Sequence, residues 1–215
     1  MPDETELAAL TRGNRLMIAD VLAGLDDAQW QAPSLCAGWT VGTLAAHLLQ
    51  PMLVGFGQFV RVALRHRGDT NRTVDHLARQ LAGRPRSQTV EDLRRHAADR
   101  TNPPRVGPIG PFAETCIHLR DIARPLALSV DVPAQHWRLL LTHLVAPRAA
   151  RALIVPGTTA GLRLRATDTD WEHGAGTLVT GPAEALGMAL TGRPAALADL
   201  DGPGVARLAA RIPTA

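Results

Sequence analysis

The chain contains no lysine and no tyrosine. Without lysine no Schiff base can form on the protein and no Walker-type phosphate loop can be built. The 23 basic residues are therefore all arginine, set against 20 acidic residues for a formal charge of +3. Aromatic residues make up 3% of the chain. The short basic clusters (Arg61, Arg65, Arg67; Arg94, Arg95) consequently lack the interleaved rings on which a single-strand binder stacks bases, and no nucleic-acid partner is expected. Serine occurs only at Ser34, Ser87 and Ser129, none in a nucleophile-elbow context. No Gly-x-Gly-x-x-Gly run follows a strand pattern, which argues against a dinucleotide fold. Two cysteines, Cys36 and Cys116, are too few for a disulfide framework and have no CxxC spacing, so reduced thiols in the cytoplasm are expected.

The N-terminus (Asp3, Glu4, Glu6) is the opposite of a basic signal-peptide start. The uncharged stretch from Thr40 to Val60 holds His47, Gln50, Pro51, Gln58 and several glycines. It reads as a buried bundle helix, and no membrane partner is expected.

His, Asp, Glu, Arg and two thiols remain as chemical equipment. Glu114 and His118 stand four apart, on one face of a helix, which suits two ligands of one ion. The alternative is a solvated charge pair. His47 lies in an apolar stretch, where a neutral imidazole needs a polar partner; a metal or a backbone carbonyl would serve. Pro51, four residues on, removes the donor for the His47 carbonyl and predicts a kink there.

Apolar periodicity predicts helices over about Glu4–Leu25 and Thr40–His66, and a helical region over Thr73–Arg100 broken at Gly83-Arg84-Pro85. A Pro-rich loop (Pro103, Pro104, Pro108, Pro111) leads to a fourth helix, Pro111 to about Ala127, with Pro111 as its first residue. The expected fold class is mainly α: a four-helix bundle over 1–130, then a small α+β domain over 131–215. In the second domain an amphipathic helix follows Val132-Pro133, and Leu162–Thr167 alternates as a half-buried strand. A short strand pair is expected around Trp171–Val179. Helices are expected from Ala183, stopped by Gly192, and around Val205–Ile212.

The run from Trp30 through Gly38-Trp39-Thr40 to His47-Leu48 resembles the start of the second helix in the mycothiol-dependent maleylpyruvate isomerase family, of the DinB-like superfamily. Glu114-Thr-Cys-Ile-His118-Leu-Arg-Asp121 is similar to that family's second metal motif. The stretches Ala166–Gly176 and Gly181–Leu186, with Thr191-Gly192-Arg193-Pro194, resemble its sterol-carrier-like C-terminal domain. The resemblance implies a divalent metal, usually zinc, on His47, Glu114 and His118 with an open fourth position, and mycothiol as thiol cosubstrate. It also implies Arg193 as an anion contact and Asp121 as a residue orienting a ligand imidazole.

The sequence departs from the family in carrying Pro51 and Pro125 within expected helices and in a short region between helices two and four. The expected activity is S-transfer to, or cis–trans isomerisation of, a small electrophile, by a monomer or homodimer. The competing expectation is a non-catalytic lipid or small-molecule binder with a structural ion. Cys36 reads as structural, Cys116 as packing, His173 as turn-stabilising, and Trp39 and Trp171 as packing anchors.

Overall fold

A computed structural model of the chain describes residues 2–101, 107–146 and 153–212. They fall into two compact units, Pro2–Val130 and Asp131–Ala215.

The first unit is helical: α1 (Glu4–Gly24), α2 (Asp27–Gln31), α3 (Val41–Leu53), α4 (Phe56–Arg65), α5 (Thr70–Ala82), α6 (Arg86–Arg95) and α7 (Ile109–Ala123). Helices α1 and α3 each pack on both α6 and α7, which closes a ring of four; α5 lies against α3, and α4 against α5. Asp3 caps α1 by accepting from the amides of Thr5 and Glu6 at 2.8 Å, and Leu7, Thr11, Ile18 and Leu22 line its buried face. The buried Arg15 of α1 donates to the carbonyls of Ala97 at 3.2 Å and Asp99 at 2.7 Å. It thereby satisfies acceptors just past the end of α6 that would otherwise be orphaned. Helix α7 buries every residue except Glu114 and Arg120, the pattern of a helix at the centre of a domain.

Five boundaries differ from the sequence reading. The expected helix from Thr40 to His66 is two helices. Pro51 lies inside α3, and the Val54 amide still reaches the Gln50 carbonyl at 2.9 Å. The chain then leaves helical geometry at Val54-Gly55, and Gly55 caps α4 with extended dihedrals. Pro51 has already removed one bond from the last turns of α3, so little holds the helix past Leu53. Pro111 is the third residue of α7 rather than its first, and Pro125 stands beyond the C-cap residue Arg124 instead of inside the helix. Within the expected loop after α1, Asp26 and Gln29 form a reciprocal capping box that nucleates the short α2. Helix α6 ends at Arg95, short of the expected Arg100. Pro103 and Pro104 of the Pro-rich loop lie outside the described residues.

The second unit contains α8 (Ala134–Leu144), β1 (Leu162–Ala166), β2 (Glu172–His173), β3 (Thr177–Gly181), α9 (Ala183–Leu190), a 3-10 turn (Pro194–Asp199) and α10 (Val205–Ala209). Strand β1 alternates buried and exposed residues as its sequence dictates. The two strands expected as a pair do not bond to each other. Both flank β1, giving the order β2-β1-β3, with β2 antiparallel (Leu164 opposite His173) and β3 parallel (Leu162 opposite Thr177). Helix α9 packs on α8, the 3-10 turn and both longer strands, and buries all eight residues. Gly187 permits that packing, since a Cβ there would sit 2.7 Å from the Trp137 ring. Gly192, at φ +88°, turns the chain after α9. Among the described residues no helix is long and apolar enough to cross a membrane.

Candidate metal centre

Thr40 caps α3 by accepting from the Thr43 amide at 3.1 Å, and α3 carries His47 two turns into the unit. His47 Nδ1 lies 3.1 Å from Gln50 Oε1, and Gln50 Nε2 donates to the Val74 carbonyl at 2.7 Å. That second bond fixes the amide's orientation: Gln50 must present its oxygen to His47, so Nδ1 carries the proton and Nε2 a lone pair. Burial, reinforced by the charge on His118, pushes the His47 pKa down to about 3. The imidazole is neutral at pH 7, the form that ligates metals. Trp39 packs its ring 5.0 Å from that of His47 and donates from Nε1 to Asp75 at 2.8 Å. It is a packing anchor whose polar end is tied to α5.

On α7, His118 Nδ1 sits 2.8 Å from Asp121 Oδ2. Asp121 is fully buried. Burial alone would push His118 down, but its hydrogen bonds to Asp121 and Cys36 outweigh this and hold its pKa up at about 10. Asp121 thus fixes the imidazole's rotation and leaves Nε2 as its outer nitrogen, the arrangement by which a carboxylate orients a ligating histidine. Glu114 is one turn before His118 and half-buried. Burial raises its pKa, opposed by the charges on His118 and Arg15.

Of the residues singled out in the sequence, the fold brings His47 and His118 together, their rings edge to face with centroids 5.2 Å apart. Glu114 shares the face of α7 with His118. The donor types, two imidazoles with Nδ1 engaged and a half-buried carboxylate, are ones a divalent ion accepts, but among the described residues the three do not gather their ligand atoms within 4.8 Å of one another. Arg193 belongs to the second unit, where its guanidinium donates to the Thr191 carbonyl at 2.6 Å. His173 is in β2 with its ring stacked on Trp171 at 6.3 Å. Cys116 is buried and accepts from Asn14 at 3.5 Å.

Two contributors were not legible as such. Gln50 sits one turn from His47 and counts in the sequence only among the polar residues that argue against a membrane span for Thr40–Val60. Cys36 is half-buried, with Sγ 3.3 Å from Asp121 Oδ2 and 3.9 Å from His118 Nδ1. Among the described residues, Cys36, His118 and Asp121 are the three whose ligand-type atoms all lie within 4.8 Å of one another. The signal for Gln50 was the i,i+3 spacing; nothing local pointed to Cys36.

Residues 15–115 match the family model described as the mycothiol maleylpyruvate isomerase N-terminal domain. Over that stretch the chain carries the N-terminal domain of the mycothiol maleylpyruvate isomerase family. The match takes in His47 and Glu114 and ends before His118. The fold is similar to that of a solved alanine-for-histidine mutant of the mycothiol-dependent maleylpyruvate isomerase, with a TM-score of 0.58 and 14% identity over 94% of this chain and 93% of that one. It is also similar to a crystal structure of the mycothiol-dependent maleylpyruvate isomerase, with a TM-score of 0.52 and 16% identity over 89% of this chain and 90% of that one. At such identities the likeness is one of fold. No curated protein matches the chain.

Proposed function

We propose that the protein is a metal-dependent enzyme that uses a low-molecular-weight thiol, mycothiol, for S-transfer to a small electrophile or for its cis–trans isomerisation. The observation that carries this reading is the pairing of His47 and His118 from two helices, each with Nδ1 engaged by a neighbouring side chain. His47, Glu114 and His118 would hold a divalent ion, zinc by donor type. The match of residues 15–115 to the mycothiol maleylpyruvate isomerase N-terminal domain supports the choice of thiol.

The ion, when bound, supplies positive charge that keeps a thiol deprotonated at neutral pH. The remaining work belongs to the protein. His47 offers a neutral ring nitrogen because Gln50 holds the opposite proton. Asp121 holds the His118 ring at one rotation. Trp39 covers one side of His47 and limits water there. For isomerisation, the thiolate adds to one carbon of an activated cis double bond and the π pair moves into the adjoining carbonyl as an enolate. Rotation about the resulting single bond follows, and collapse of the enolate expels the thiolate to leave the trans alkene. For transfer, the carbon–sulfur bond is kept and the carbanion is protonated, or a leaving group departs. The cytoplasm, which keeps such thiols reduced, is the compartment this chemistry requires.

The competing reading, a binder of lipids or small ligands, has less behind it. A cavity in the second unit lined by Ile154, Leu190 and Ile212 encloses about 80 Å³, against the roughly 300–1,000 Å³ of small-molecule sites.

Elemental analysis of the purified protein beside His47→Ala and His118→Ala tests the ligands. The expected result is near-stoichiometric metal in the wild type and its loss in both variants; equal retention in all three overturns the assignment. Incubating metal-loaded protein with mycothiol and a panel of electrophiles, including cis-configured diketo acids, tests the chemistry. Thiol consumption or cis–trans conversion is expected; no turnover with any of them, at full metal occupancy, overturns the enzymatic reading.

A further inference from the structure

We infer that Cys36, Asp121 and Nδ1 of His118 form a second cation site, one that takes a thiophilic divalent ion such as zinc, cobalt or cadmium. This does not depend on the function proposed above: it stands even if His47 and Glu114 bind nothing.

The three donor atoms already form one face of a coordination polyhedron. Bonds of about 2.3 Å to sulfur and about 2.0–2.1 Å to nitrogen and oxygen give a tetrahedral site sulfur–nitrogen and sulfur–oxygen edges of about 3.5 Å and a nitrogen–oxygen edge of about 3.3 Å. The observed edges are 3.9 Å, 3.3 Å and 2.8 Å. Each is within about 0.5 Å of the tetrahedral value. The donor types, one thiolate, one imidazole and one carboxylate, are those that zinc and its soft relatives combine.

The triangle is also held from outside. The Leu35 amide donates to the Asp121 carbonyl at 3.0 Å, tying the loop to α7 directly beside the sulfur. The Ser34 hydroxyl accepts from the Cys36 amide at 3.2 Å and donates to the Trp39 carbonyl at 3.0 Å, and Pro33 pairs with Thr40 across the loop's base. A thiol on a loop pinned at three points is positioned before any ligand arrives, so little ordering cost remains on binding. Asp121 is buried and Cys36 half-buried; the sulfur is thus the side from which an ion enters.

Coordination here engages Nδ1 of His118 and the Asp121 oxygen 2.8 Å from it, whereas the His47 set uses Nε2 and leaves that Nδ1–Asp121 bond in place. The Cys36 set and the His47 set are therefore alternative occupants that share His118, with sulfur present in only one.

The difference is visible to spectroscopy. Full-length His47→Ala protein, with Glu114→Gln as a second background should His47→Ala fold poorly, is reduced, stripped of metal and titrated with cobalt(II). The expected result is a near-ultraviolet sulfur-to-cobalt charge-transfer band that saturates at one equivalent and disappears when Cys36→Ser is added. Absence of the band at saturating cobalt overturns the inference, as does a band that survives Cys36→Ser, which would belong to Cys116. Wild-type metal content and turnover report separately on the His47 set, so the two assignments can fail independently.

Discussion

Asp121 places a carboxylate oxygen 2.8 Å from Nδ1 of His118, three residues earlier on the same helix. A buried carboxylate at this distance sets both the rotation of the imidazole and the nitrogen that faces outward. Asp121→Asn keeps the shape and loses the charge. The expected outcome is a roughly 10–100-fold loss of metal affinity, the usual effect of removing such a partner, measured by competition with a chromogenic chelator. An affinity within twofold of wild type would show that His118 needs no such support.

Gln50 performs the same service for His47 from α3 while also donating to the Val74 carbonyl of α5. Gln50→Leu removes that link between the helices and leaves Nδ1 of His47 without its acceptor. Unfolding in urea should show a loss of about 1–3 kcal/mol, the cost of stranding a buried polar group, and metal retention should fall with it. Unchanged stability would mean that water replaces the amide.

Asp75 accepts from Arg79 and from Trp39, and these bonds, the Arg79 one first, hold its pKa below the ordinary 3.8. A depressed carboxylate contributes stability that is present above its unfolded value and disappears as the pH falls through the lower folded one. Wild type should therefore be more stable than Asp75→Asn at neutral pH, and the gap should close below about pH 4. Paired urea titrations at neutral and acid pH measure it; the solvent-exposed position of Asp75 makes the gap small. A gap that widened on acidification would contradict the assignment.

Gly187→Ala tests the packing of the second unit. The added methyl would meet the buried Trp137 ring at 2.7 Å, and overpacking of this kind costs about 1–3 kcal/mol. A lower urea midpoint at unchanged slope is expected. A neutral result would show that the ring has room to retreat.

Much of this architecture was legible locally. The Leu7–Leu22 stripe, the Gly83-Arg84-Pro85 break and the alternation of Leu162–Ala166 are short-range patterns, and the elements they predicted are present. The break between α3 and α4 was hidden because its neighbours are apolar throughout, so periodicity ran on while Pro51 and Gly55 ended the helix. The pairing of β2 and β3 with β1 was hidden because strand partners are chosen by the sheet and not by sequence order. Spacing singled out Glu114 and His118, apolar surroundings singled out His47, and the family resemblance joined them into one set; the fold brings the rings of His47 and His118 together. Nothing local singled out Cys36, since only folding carries residue 36 to residue 121.

That distance along the chain has a temporal consequence. The sulfur and its carboxylate neighbour are 85 positions apart in sequence, and closing so long a loop is among the slower steps available to a small domain. During synthesis the centre cannot assemble until α7 has left the ribosome and docked. Nascent chains that end earlier carry Cys36 and His47 but lack His118 and Asp121, without which neither set of donors is complete.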